Sequence, residues 1–169
     1  NRDNNLSFKE TDVLGGKDPY SLSKSCSDMI GQCLNVQRKS RVNNLKISTI
    51  RCGNIIGGGD WSKYRLIPDY YSSYLNSSPL MIRHPVNTRP WQHVINPIYI
   101  IYQIIKKNNP KFFDEFNIGP NQNNYTVRHV LNELNKLNKN KSVRIKYRNL
   151  YNLKESKFLR LNNSKSKKL

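Results

Sequence analysis

Apolar positions along this chain fall into two kinds of run. "LKISTIRC" (45–52), "LMIR" (80–83) and "SVRIKYR" (142–148) are short and β-branched or alternating, which predicts strands. "TVRHVLNELNKLNK" (126–139) instead places Val127, Val130, Leu131, Leu134 and Leu137 at helical spacing. Asp18 before Pro19 predicts a helix over about 19–39, because Asp caps free N–H groups and proline loses no hydrogen bond in the first turn. Further helices are expected over about 66–76 and from Pro97, with extended pieces at "WQHVI" (91–95) and within "NPKFFDEFNIGP" (109–120). Strand and helix alternate with short links and no internal repeat, which predicts an α/β sheet layered by helices.

The strand at 45–52 is apolar enough to be buried and runs into "GNIIGGGDW" (53–61). Glycines there let backbone N–H groups approach phosphate, or merely make a turn. No G-x-G-x-x-G dinucleotide fingerprint occurs. "HPVNTRP" (84–90) reads as an irregular loop flanked by Arg83 and carrying Arg89, whose planar forks suit diphosphate oxygens.

Composition narrows the picture. Lys and Arg number 29 against 11 Asp and Glu, a formal charge of +18, so polyanions must be considered as partners. The basic residues are scattered, however, and no RNA-binding strand, zinc finger or basic zipper accompanies them, which disfavours nucleic acid. The tail "SKSKKL" reads as the start of a solvated helix. Cys26, Cys33 and Cys52 are too few and too separated for a disulfide framework or zinc clip, which fits a reduced, cytoplasmic compartment. His84 and His129 are isolated, His93 reads as a hydrogen-bonded structural residue, and no metal-site spacing occurs. "VINPIYIIYQII" (94–105) is shorter than the ~18 residues a membrane span needs. No signal-peptide order or initiator Met opens the chain, and its last residues stop within a helical pattern, so both ends read as cut.

Tyr20 and Lys24 stand four apart on the first predicted helix and therefore share a face. A phenol with its ordinary pKa of about 10 is a poor base at neutral pH, but a neighbouring ammonium favours the phenolate. Such a pair can take a proton from a sugar hydroxyl while hydride leaves the same carbon. The spacing alone is common: with ten tyrosines and this much lysine, about one such pair arises by chance, and Tyr102–Lys106 repeats it. Tyr102 lies in an apolar helical stripe and Lys106 at its end, which reads as structure. Tyr20 differs in having a capped helix start and the small Ser21, Ser23 and Ser25 around it.

Together "LGGKDPYSLSK", "RCGNIIGGGDWSKYRLIPD", "PLMIRHPVNTRPWQHV", "FNIGP" and "ESKFLRLNNSKSKKL" resemble, in order and spacing, the extended short-chain dehydrogenases/reductases that modify nucleotide sugars. Within that family they are most similar to the CDP-glucose 4,6-dehydratases. The resemblance covers essentially the whole chain. It implies the C-terminal part of a Rossmann-type α/β enzyme with its small substrate-binding domain. Residues 1–60 would close the NAD-binding domain and 61–169 would be mostly nucleotide-sugar-binding, with the N-terminal dinucleotide loop absent.

By the same resemblance, Tyr20 is the base at the sugar 4-hydroxyl, and Lys24 holds the nicotinamide ribose and lowers the tyrosine's pKa. Asn54 and Arg89 match positions on the diphosphate, and Arg65, Leu66 and Arg83 fall where the nucleotide and its base are held. The implied reaction turns CDP-glucose into CDP-4-dehydro-6-deoxyglucose and water with transient use of NAD, as an entry to deoxysugars of bacterial surface polysaccharides such as lipopolysaccharide. Homo-oligomers through the tyrosine helix are implied as well.

The family's catalytic Ser or Thr and its elimination acid/base pair precede Asn1, so this chain alone is not expected to turn over substrate. Asn96 stands where many relatives carry a carboxylate. Two rival readings are another NAD-dependent nucleotide-sugar dehydratase or epimerase, and an inactive remnant or polyanion-binding module.

Overall fold

The computed structural model describes residues 7–40, 46–109, 114–121, 125–138, 141–148 and 156–169. In order, the elements are α1 (Pro19–Ser40), β1 (Thr49–Cys52), β2 (Asn54–Ile56), α2 (Leu66–Leu75), β3 (Leu80–Ile82), β4 (Thr88–Arg89), β5 (Trp91–His93), α3 (Ile95–Lys107), β6 (Glu115–Ile118), β7 (Tyr125–Thr126), α4 (Val127–Leu137) and β8 (Ile145–Tyr147), before a 3-10 turn at Ser166–Lys168. β1 pairs in parallel with β6, β2 with β5 and β3 with β8, while β4 runs antiparallel to β7. The predicted α/β alternation is therefore what folds.

Helix ends follow their local chemistry. Asp18 Oδ2 accepts the Ser21 hydroxyl at 2.6 Å and Oδ1 the Ser21 N–H at 2.9 Å. Those two bonds, the hydroxyl's foremost, lower the Asp18 carboxyl below its ordinary range. Thr126 caps α4 by accepting the His129 N–H at 3.1 Å. α3 ends at Asn108 in the left-handed region, φ 45°, with its N–H returned to the Ile104 carbonyl.

Some expectations are corrected. The strand expected over 45–52 is observed at Thr49–Cys52, residue 45 lying outside the described residues, and it is half-buried rather than buried; its partner among the described residues is β6. The glycine stretch contains β2, and "HPVNTRP" contains β4, because partners far along the chain supply hydrogen bonds that local pattern cannot announce. α3 begins two residues before Pro97, whose missing N–H falls in the unbonded first turn. The tail is not simply solvated: Lys165 reaches Asp114 at 2.5 Å, the Ser166 hydroxyl donates to the Asn117 carbonyl at 2.7 Å, and Leu169 packs on the core.

Two apolar clusters result. Tyr70, Leu80, Ile82, Leu131 and Val143 join α2 and α4 to β3 and the segment entering β8. The Tyr70 phenol is fully buried and bonded, donating to Asn135 Oδ1 and accepting from Asn138 Nδ2, both at 2.9 Å. The second cluster is thin: Ile104 of α3 and Phe116 of β6, flanked by Ile50, Ile100 and Leu169.

Candidate active site

Helix α1 is held on β1 at two heights. Arg51 presents Nε at 2.5 Å and Nη2 at 3.0 Å to the two carboxylate oxygens of Asp28, and Nη1 donates to the Glu10 carbonyl at 2.8 Å. The pair is mostly buried, and such a fork fixes rotation as well as distance. One turn on, a Cβ at Gly31 would stand 2.5 Å from Thr49 Oγ1, so the helix approaches the strand closely there. Because Asp28 lies four and eight residues after Lys24 and Tyr20, clamping it orients all three on one face.

After β1 the chain passes Gly53, where a Cβ would lie 2.3 Å from the Pro90 carbonyl, so only glycine lets these two backbones meet. Asn54 then opens β2 opposite Trp91. A turn follows with Gly59 at φ +79°. A cleft of about 1100 Å³ lies between this stretch, the start of α1 and the start of α2.

Five of the residues singled out from sequence, Tyr20, Lys24, Asn54, Arg65 and Leu66, line that single cleft. The Tyr20 ring is 71% exposed and the Lys24 ammonium stands 5.5 Å from its centroid. Arg65 donates from Nη1 to Asp60 Oδ2 at 3.0 Å, yet 67% of its side chain is exposed. The Ser62 N–H, with help from Arg65, holds the Asp60 carboxyl below its ordinary range. Cys52, also in the cleft wall, has its thiol pKa pushed up by burial, which keeps it a neutral packing group.

Arg83 and Arg89 are not brought into the same cleft wall. Arg83 is exposed just beyond β3. Arg89 in β4 donates through Nη1 to the carbonyls of Thr88 at 2.8 Å and Ser156 at 2.9 Å, tying the C-terminal segment to the strand. That segment brings Leu159 into the cleft, a residue within the quoted "ESKFLRLNNSKSKKL" that was not singled out for the site. Trp61, Tyr64 and Tyr71 line the cleft as well; "DWSKYR" (60–65) concentrates aromatic and basic residues beside a glycine turn and marks the first two, whereas Tyr71 reaches the cleft from α2.

His93 Nδ1 accepts the Ile95 N–H at 3.2 Å, the structural role its setting predicts. Among the described residues no grouping of three His, Cys, Asp or Glu side chains could hold a metal ion. No helix among them is long and apolar enough to cross a membrane.

No family model matches the chain. It is 34% identical, over 75% of its length, to the CDP-glucose 4,6-dehydratase of Salmonella typhimurium, of which it covers 38%. The dTDP-glucose 4,6-dehydratase of Bacillus anthracis, solved with NAD, superposes with a TM-score of 0.79 at 25% identity, covering 96% of this chain and 49% of that one. The chain has the fold of the extended short-chain dehydrogenases/reductases. UDP-glucuronic acid 4-epimerase of Bacillus cereus, solved with UDP-glucuronic acid and NAD, gives a TM-score of 0.82 at 16% identity over 97% of this chain and 50% of that one. The chain thus spans about half the length of these short-chain dehydrogenase/reductase structures and less of the curated relative.

Proposed function

We propose that this chain carries the tyrosine-lysine pair and the substrate side of an NAD-dependent CDP-glucose 4,6-dehydratase. The observation that carries the reading is the convergence of Tyr20 and Lys24 from one motif stretch with Asn54, Arg65 and Leu66 from a second on one cleft. The 34% identity to a CDP-glucose 4,6-dehydratase supports the CDP-sugar in preference to other nucleotide sugars.

Tyr20 and Lys24 fit the nicotinamide-ribose end of NAD, since both are exposed beside open cleft and offer a hydroxyl and an ammonium together. Bound there, NAD would supply a reversible hydride acceptor for the sugar. Tyr20 takes the proton of the 4-hydroxyl, with the Lys24 ammonium 5.5 Å from its ring. The net change would be loss of the C5 proton and C6 hydroxyl as water with gain of hydride at C6 and a proton at C5, giving CDP-4-dehydro-6-deoxyglucose without net oxidation. Asn54 and Arg65 hold the nucleotide diphosphate, with Leu66 against the nucleotide. Arg83 and Arg89 complete the substrate side, Arg89 by fixing the segment that carries Leu159.

Residues 1–60 form the cofactor side and 61–169 mostly the substrate side. Pairing of copies through α1 is supported by its exposed Leu22, Met29, Ile30, Leu34 and Val36.

The test is turnover by the chain joined to an NAD-binding N-terminal half, offered CDP-, dTDP-, GDP- and UDP-glucose. The 4-keto product should form from CDP-glucose; selective turnover of another nucleotide sugar overturns the substrate. Arg89→Ala should weaken nucleotide-sugar binding, and unchanged affinity removes Arg89 from the substrate side.

A further inference from the structure

The loop between β2 and α2 exposes two large aromatic side chains that no core uses. Trp61 is 68% exposed and Tyr64 92% exposed, and both line the cleft that holds Tyr20. Their presentation is built. Asp60 ties the loop through its bonds from the Ser62 N–H and Arg65, and Asp69 Oδ1 accepts the Tyr64 N–H at 3.2 Å. Tyr64 itself sits in the left-handed region, φ 65°, which costs a non-glycine residue of order 1 kcal/mol and is kept here without any burial in return. The other tryptophan in the chain, Trp91, differs: it is half-buried and its indole N–H donates to the Tyr125 carbonyl at 3.2 Å.

Solvated aromatic faces beside Arg65 match the two halves of a nucleotide, a flat base and an anionic diphosphate. We propose that Trp61 and Tyr64 form an aromatic clamp for the base of the nucleotide sugar and supply most of the advantage of a nucleotide over bare pyrophosphate at this cleft. The clamp rests on the nucleotide-sugar reading above. It assigns the two residues to binding, and neither touches the reacting sugar carbons.

The test uses the chain itself, titrated with CDP and separately with inorganic pyrophosphate by calorimetry. In parallel, emission is followed in Trp91→Phe, which leaves Trp61 as the sole tryptophan. CDP should quench that emission and pyrophosphate should leave it nearly unchanged. Trp61→Ala should lose roughly tenfold or more in CDP affinity, Tyr64→Ala roughly threefold to tenfold, and Trp61→Phe less than Trp61→Ala, with pyrophosphate affinity held in all three. Both positions are exposed, and unchanged melting of each variant verifies the fold. If the variants bind CDP as the parent does, or lose CDP and pyrophosphate in parallel, the clamp is overturned while the nucleotide-sugar reading stands. A parent that binds pyrophosphate as tightly as CDP also overturns the clamp. A parent that binds neither overturns the reading and the clamp with it.

Discussion

Two tyrosine-lysine pairs stand on two helices of this protein with nearly the same internal geometry. Lys24 lies 5.5 Å from the Tyr20 centroid on α1, and Lys106 lies 5.8 Å from the Tyr102 centroid on α3. Both tyrosines are exposed, Tyr102 at 53% although it lies in an apolar helical stripe. Four-residue spacing on a helix thus makes the pair, and nothing more. What distinguishes Tyr20 is the opposite wall: α1 is clamped on β1 where the strand runs through Gly53 into Asn54, so the first pair faces a cleft while the second is not among its lining residues.

The largest expected separation between the pairs is catalytic. In the chain joined to an NAD-binding half, Tyr20→Phe should lower 4-keto product formation by about 10²–10⁴-fold with CDP-glucose affinity nearly intact, whereas Tyr102→Phe should match the parent. Equal rates in both variants would erase the distinction. Next comes the clamp. Arg51→Ala leaves the buried Asp28 carboxylate without its cation, with the Gln32 amide still donating to it, and should cost about 3 kcal/mol in urea unfolding, with amide exchange rising in α1 before α4. A loss under about 0.5 kcal/mol would mean that something other than this fork orients the Tyr20 pair.

Gly31→Ala weighs two opposed effects. Alanine gains up to ~1 kcal/mol of helix propensity, but its Cβ would press on Thr49 Oγ1 at 2.5 Å, and overpacking costs ~1–3 kcal/mol. A net loss of about 1 kcal/mol is expected, relieved when Thr49→Ala is added; net stabilisation of the single variant would show a looser contact between helix and strand.

The smallest effect belongs to the α3 side. Burial opposes ionisation of Asp114, but its hydrogen bonds with Glu115 and with the Lys165 ammonium outweigh that and lower its pKa from 3.8 to about 2. The Asp114 carboxylate in turn raises the Glu115 pKa, which offsets part of the gain. Since folding depresses the Asp114 value, its contribution is full above about pH 4 and disappears as pH falls through about 2. Solvent screening limits it to about 0.5 kcal/mol. Lys165→Met should flatten that acid limb of the stability curve, and an unchanged limb would remove Lys165 as its cause.

Much of the fold was legible because its signals are local. Asp18-Pro19 and the spacing of Val127 to Leu137 announce α1 and α4 to within two residues. β2 and β4 were missed because each is two or three residues long and exists through a distant partner, β5 and β7. In the site, Tyr20, Lys24, Asn54, Arg65 and Leu66 carry motif signals and do converge. Leu159 was not singled out: the nearest other cleft residue along the chain, Trp91, lies 68 positions before it, and distant contacts bring its segment back, among them the Arg89–Ser156 bond and the Thr88 N–H bond to the Lys157 carbonyl.

The sequence by itself determined which stretches coil or extend, because capping and apolar periodicity act over four residues or fewer. It also determined that a tyrosine and a lysine share a helix face. Which of the two such pairs meets a cleft was decided only in three dimensions. That outcome depends on a buried guanidinium-carboxylate fork between residues 28 and 51 and on two backbones touching at Gly53 and Pro90, contacts between segments whose separation no local pattern spans.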